Sequence, residues 1–161
     1  MLIAEITKKM IAYPGQNIHD IHHFMKVYAY AKTIGECEGL DLETQKILEV
    51  AALVHDIACP LCREKYGNTN GKYQEQEGVV LVKEFLKDTG LSEEFIDRVA
   101  FLVGHHHTIS GMDGMDYQIL IEADYLVNAD ESGYLKQNIQ NTLERVFKTE
   151  TGKQLLQNMY L

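Results

Sequence analysis

Proline is nearly missing from this chain. Only Pro14 and Pro60 occur in 161 residues, and both sit in stretches that read as loops, so helices can run without breakers. Cysteine is scarce and odd in number: Cys37, Cys59 and Cys62 do not make the even, spaced set of a secreted disulfide framework. No apolar run approaches the roughly 18 residues that a bilayer-spanning helix needs. The opening MLIAEITKKMIAYPG lacks a basic start, an apolar block and a small-residue cleavage site, so it is not expected to act as a secretory signal. We therefore expect a cytoplasmic location and no membrane partner. Positive charge is also short, with 15 Lys and Arg against 24 Asp and Glu and a net charge of −9. Binding a nucleic-acid polymer requires a basic field and is not expected. A small phosphorylated substrate stays compatible where the few cations gather locally. Alternating strand patterns, internal repeats and low-complexity segments are absent as well.

What remains is helical periodicity at the composition of a globular domain, 45% hydrophobic and 24% charged. The length suits one domain, residues 1–161, with a core of about 18–128 and C-terminal helices over 135–160 packed on it. The spacing of apolar residues predicts helices over about 2–13, 18–38, 42–57, 74–89, 93–103 and 117–129, with one or two more in the tail. Asp41 and Ser92 are placed to cap the third and fifth. A polar loop is expected over about 58–72 and a glycine-containing loop over 105–116. The second helix is apolar on two sides, through Ile21, Phe24, Tyr28 and Ala31 and through His23, Val27, Tyr30, Ile34 and Cys37, so it belongs inside a bundle. The fold class is all-α, a bundle of about six to eight helices.

Chemistry enters where acids interrupt apolar runs. Asp56 lies in EVAALVHDIACP and Asp124 in QILIEADYLVN. A carboxylate buried there costs several kcal/mol unless paired or bound to a cation. Few Arg or Lys stand nearby in sequence, but His55 adjoins Asp56, His23 lies on a buried stripe, and His105, His106 and His107 follow the fifth helix. A shared metal would satisfy imidazole and carboxylate together. Each element has a plainer reading: His19-Asp20 as a solvated helix start, a single buried His as a hydrogen-bonded core residue, and Cys59-Pro60-Leu61-Cys62 as loop packing, because no second cysteine pair exists to complete a zinc site. Arg63, Lys65 and Lys72 form a basic stretch beside the His-Asp pair, either a solvated loop or a phosphate-recognition element.

The ordered set His23, His55-Asp56, the His cluster and Asp124, on successive helices, resembles the HD-domain superfamily of metal-dependent phosphohydrolases over about residues 18–128. The resemblance implies a helical fold in which His23, His55, Asp56 and Asp124 bind the metal, a divalent transition ion such as Fe, Mn, Ni, Co or Zn. It implies attack of activated water on a small, nucleotide-like phosphoester. Asp56 would be both ligand and orienter of the water. Lys26, one turn after His23, would approach the substrate phosphate, and Lys26 or His106 would assist the leaving group. Members with two metals carry two further His. His105 or His106 fits the later one, whereas Gly71-Lys72-Tyr73-Gln74-Glu75-Gln76-Glu77-Gly78 offers only Gln74 or Glu75 for the earlier. One ion is thus expected rather than two. The alternatives are a di-iron, oxygen-activating relative and a non-catalytic metal-binding signalling module.

Overall fold

The computed structural model describes residues 2–161. They form α1 (Leu2–Ile11), α2 (Ile18–Cys37), α3 (Leu42–Val54), α4 (Cys59–Tyr66), α5 (Gly71–Leu86), α6 (Glu93–Val103), α7 (Met115–Glu131), α8 (Lys136–Arg145) and α9 (Glu150–Tyr160), with no strand among the described residues. The architecture is all-α, as expected. No helix among these residues is long and apolar enough to cross a membrane.

Local chemistry sets the helix starts. Asn17 and Asp20 form a reciprocal capping box at α2. Asp41 accepts from Thr44 N at 3.2 Å and Ser92 from Phe95 N at 3.1 Å, opening α3 and α6. The largest departure from the expected layout is α4, which occupies the first half of the stretch expected to be loop. Pro60 falls in its first turn, where a missing N–H costs no helical bond. Gly67, at φ 73° in the left-handed region, ends it.

α2, α3 and α7 form the centre. α2 packs on both α3 and α7, α3 also touches α1, α6 and α7, and α5 lies on α6. Every residue from Leu48 to Val54 of α3 is buried, and so is every residue from Asp116 to Asp124 of α7. Both acid-bearing apolar runs thus lie against the interior, and the His-Asp pair falls just past the last turn of α3.

The C-terminal helices are tied to α7 by a second buried acid. Glu122 has no exposed surface. Its carboxylate accepts from Gln118 Nε2 (2.7 Å), Lys148 N (2.9 Å), Thr149 N (3.1 Å) and Thr149 Oγ1 (2.6 Å). It therefore holds the start of α9, where its negative charge also suits the helix dipole. Gly152 gives it room, because a Cβ there would lie 1.9 Å from Glu122 Oε1. We expect Glu122→Leu to lower unfolding stability by about 3 kcal/mol, through buried donors left unpaired, and Gly152→Ala to destabilise by steric conflict at the same carboxylate. Urea unfolding of the two variants checks both.

Candidate metal centre

Four side chains from α2, the end of α3 and α7 meet in the interior. His23 Nε2 lies 3.2 Å from His55 Nε2, 3.1 Å from Asp124 Oδ1 and 3.2 Å from Asp56 Oδ2. His55 Nε2 lies 3.4 Å from Asp56 Oδ2 and 3.3 Å from Asp124 Oδ1. Five edges of one four-atom figure thus fall within a few tenths of an ångström of each other. Donors about 2.1 Å from a common ion stand about 3.4 Å apart in a tetrahedron and about 3.0 Å apart at neighbouring octahedral corners. His23, His55 and Asp56 thus have the spacing of a coordination shell, with Asp124 Oδ1 placed against both imidazoles, and these donors suit a divalent cation.

The rings are aimed by their other nitrogens. His55 Nδ1 donates to the Ala52 carbonyl (2.7 Å), His106 Nδ1 to Val103 (2.7 Å) and His105 Nδ1 to Phe101 (2.7 Å). These carbonyls belong to the last turns of α3 and α6, where helices leave acceptors unused. His23 sits inside α2, where the helix uses its own carbonyls. Its Nδ1 donates instead to Glu131 Oε1 at 2.6 Å. In each case a proton on Nδ1 leaves Nε2 free to act as a ligand.

Glu131 was not foreseen. It lies seven residues after Asp124 and so on the same face of α7, but the polar run Asp130-Glu131-Ser132 looks like an ordinary solvated helix end. The carboxylate also takes Lys26 Nζ at 3.3 Å and has His19 Nε2 at 3.8 Å. Lys26 therefore stands at the edge of the site on Glu131 and is not among the side chains lining the cleft over the centre.

A second set of donors adjoins the first. Asp56 Oδ1 lies 3.3 Å from His106 Nε2, while Asp56 Oδ2 faces His23 and His55. Gln74 Oε1 lies 3.2 Å from His106 Nε2 and 3.0 Å from His107 Nε2, and its amide donates to the Thr69 carbonyl at 2.6 Å. Asp56, His106 and His107 thus form a further group able to hold a metal. Of the two cluster residues expected near the site, His106 comes to Asp56, and His105 turns away to stack on Phe101 with ring centroids 4.1 Å apart. Glu75 turns away too, accepting from Thr108 Oγ1 (2.8 Å) and His107 N (3.3 Å). The consecutive His lie beyond the end of α6, where helical periodicity no longer says which ring points inward.

A cleft of about 260 Å³ opens over His23, Asp56 and Asp124. The larger groove along α1, about 710 Å³, brings no imidazole to its wall. Of the basic stretch, only Arg63 lines the cleft. It is held by Asp20 at 3.1 and 2.6 Å and by the Gly15 carbonyl at 3.2 Å, while Lys65 pairs with Glu77 at 2.7 Å. Cys59 and Cys62 are buried. Burial, reinforced by the Asp56 and Asp20 carboxylates, pushes the Cys59 thiol up, so it packs as a neutral group.

Electrostatics bind the centre together. Burial alone would lower both imidazoles, but the Asp124 and Asp56 carboxylates outweigh it and raise His23 to about 11 and His55 to about 10. Burial alone would raise the two carboxyls, and the facing imidazoles instead hold Asp56 and Asp124 well below the usual carboxylate range.

The family model described as HD domain matches residues 20–148. Among solved structures, the chain is similar to the crystal structure of a predicted HD superfamily hydrolase from an uncultured Thermotogales bacterium. The two are 24% identical with a TM-score of 0.68, over 98% of this chain and 83% of that one. No curated protein matches the chain.

The raised imidazoles give a stability prediction for chelated protein. The native state keeps protons that unfolded His releases near 6.5, so this stabilisation is complete below about pH 6.5 and is lost as pH rises toward 10 and 11. The depressed carboxyls act oppositely, stabilising above about pH 4 and losing that effect as pH falls further. Urea midpoints with chelator should therefore fall from pH 6.5 to pH 10. Protein saturated with a divalent cation should lack this fall, because the cation takes the place of those protons.

Proposed function

Because the chain belongs to the HD domain family and His23, His55 and Asp56, with Asp124 against both imidazoles, converge at the spacing of metal ligands, we propose that it is a metal-dependent phosphohydrolase acting on a small, nucleotide-like phosphoester. In this reading His23, His55, Asp56 and Asp124 hold one divalent transition cation, from the group Fe, Mn, Ni, Co and Zn. The observation that carries it is the set of five nearly equal donor separations, 3.1–3.4 Å, among side chains from three helices. The hydrolase named among the similar structures agrees with this reading. When bound, such a cation acidifies water and neutralises phosphate oxygens.

The remaining roles belong to the chain. Asp56 spans the two donor groups, and its free lone pairs orient the attacking water. His106 Nε2 faces two oxygens, Asp56 Oδ1 and Gln74 Oε1, at a position that takes a hydrogen and hands it to a leaving oxygen. Glu131 keeps the His23 ring in its ligand orientation. Arg63 and Lys26 stand at the rim, each paired with an acid, Asp20 and Glu131. Gln74 replaces a charged or imidazole donor with a neutral amide oxygen, which favours a single ion.

The group Asp56, His106 and His107 supports a second reading, with two cations and oxygen-activating chemistry. Metal analysis under reducing conditions separates the two: we expect a ratio near one, phosphate release from a phosphoester panel, and loss of that release in His55→Ala. A ratio near two with oxygen consumption would instead carry the second reading. Inertness of well-metallated protein in both assays would leave a non-catalytic metal-binding module. Asp56→Ala should abolish metal uptake. Glu131→Gln should weaken it about 10- to 100-fold while Asp56 and His55 remain in place. Calorimetric metal titration reads both.

A further inference from the structure

A second cavity of about 240 Å³ adjoins the cleft, and His107, Asp124 and Asn128 line both. The two spaces differ in chemistry. The cleft presents Asp20, Arg63 and Glu131, whereas the second cavity is walled by Ile109, Ile121, Tyr125, Tyr134 and Val146 and has no Lys, Arg or second carboxylate beyond shared Asp124. Tyr125 is fixed between Phe147, at 5.8 Å and 78°, and Tyr134, at 5.4 Å and 39°. At the mouth, Tyr134 is 39% and Ile109 55% exposed. These are two large apolar side chains left to solvent on opposite segments, one before α7 and one after it.

We infer that this cavity takes the uncharged ring of a phosphomonoester whose phosphate sits over the metal centre. The inference rests on the phosphohydrolase reading and specifies its substrate. His106 also lines the cavity, so a leaving oxygen passing from cleft to cavity meets the imidazole assigned to protonate it. The size is below the usual range for ligand pockets, about 300–1,000 Å³, which suits one ring system. Its flat face stacks on Tyr134, and the hydroxyls of Tyr134 and Thr142 give neutral hydrogen bonding. Charge sets the phosphate count at one. Arg63 is already held by two oxygens of Asp20, Lys26 by Glu131, and the cavity has no cation to receive a second phosphate.

Phenylphosphonate and methylphosphonate carry the same headgroup and differ by the ring, so their binding to the metal-loaded protein tests the inference without turnover. Phenylphosphonate should bind about tenfold more tightly, and Tyr134→Ala should remove that advantage while leaving methylphosphonate affinity unchanged. With no tryptophan in the chain, tyrosine fluorescence reports the ring's arrival, alongside calorimetry. Tighter binding by a nucleoside phosphonate than by phenylphosphonate would identify the ring as a nucleobase, and the reverse as an aryl group. Equal affinity for the two simple phosphonates, or a Tyr134→Ala variant that weakens both alike, would overturn the inference even if phosphate release is observed. A Tyr134-dependent preference in a protein that hydrolyses no phosphoester would sustain the ring site and defeat the hydrolytic reading.

Discussion

Asp56 and Asp124 face the same two imidazoles inside a helical bundle, and their ion-pair partners among the described residues are imidazoles alone. That concentration of negative charge is the constraint on which the rest of the site depends. In an apolar surrounding it demands positive charge, supplied by protons on the rings or by a cation among them. The architecture meets the demand by bringing α2, the end of α3 and α7 to one point. It meets it a second time by anchoring each ring through the nitrogen that does not face the carboxylates.

Much of this was legible in the sequence, and for identifiable reasons. An Asp within a run apolar on every side is conspicuous, and His23 sits on a stripe of regular helical spacing, so the four central residues could be picked without coordinates. The helices themselves follow from period and caps. What escaped detection lacks such contrast. Glu131 is one acid in a polar helix end. Gln74 was legible only as an alternative to Glu75, because several side chains of the run KYQEQE are equally polar and only the helix's orientation selects one. His107 belongs to a triplet beyond the helix, where the turn's own geometry decides which rings face Asp56. The helix α4 was hidden because Pro60 reads as a breaker unless it is known to fall in a first turn.

The site is also braced from outside its own residues. Arg98 on α6 grips Asp113 at 3.1 and 2.9 Å and Asp116 at 2.9 and 2.7 Å. Tyr117 donates to the carbonyls of His105 (3.0 Å) and Thr108 (2.5 Å). The loop carrying His106 and His107 is thereby fastened at both ends to α6 and α7. Glu122, one turn from Gln118 and two residues before Asp124, fastens the chain's C-terminal helices to the same α7. The helix that contributes Asp124 and Glu131 is thus held along its length by contacts remote from the cluster.

The anchoring of His55 and His106 to helix-end carbonyls has a consequence for discrimination among ions. A ring pinned through Nδ1 to the main chain cannot swing outward without breaking that bond, and the main chain it is pinned to lies in close-packed bundle. The opening between the donors is therefore a gauge of nearly fixed bore. Calcium, with oxygen distances of about 2.3–2.6 Å and a preference for six to eight oxygens, would have to force it wider and accept nitrogen in place of oxygen. If the proposed metal site is correct, smaller ions that tolerate imidazole would enter without such distortion. Under that proposal, selectivity would reside in the stiffness of two helix ends as much as in the identity of the proposed ligands.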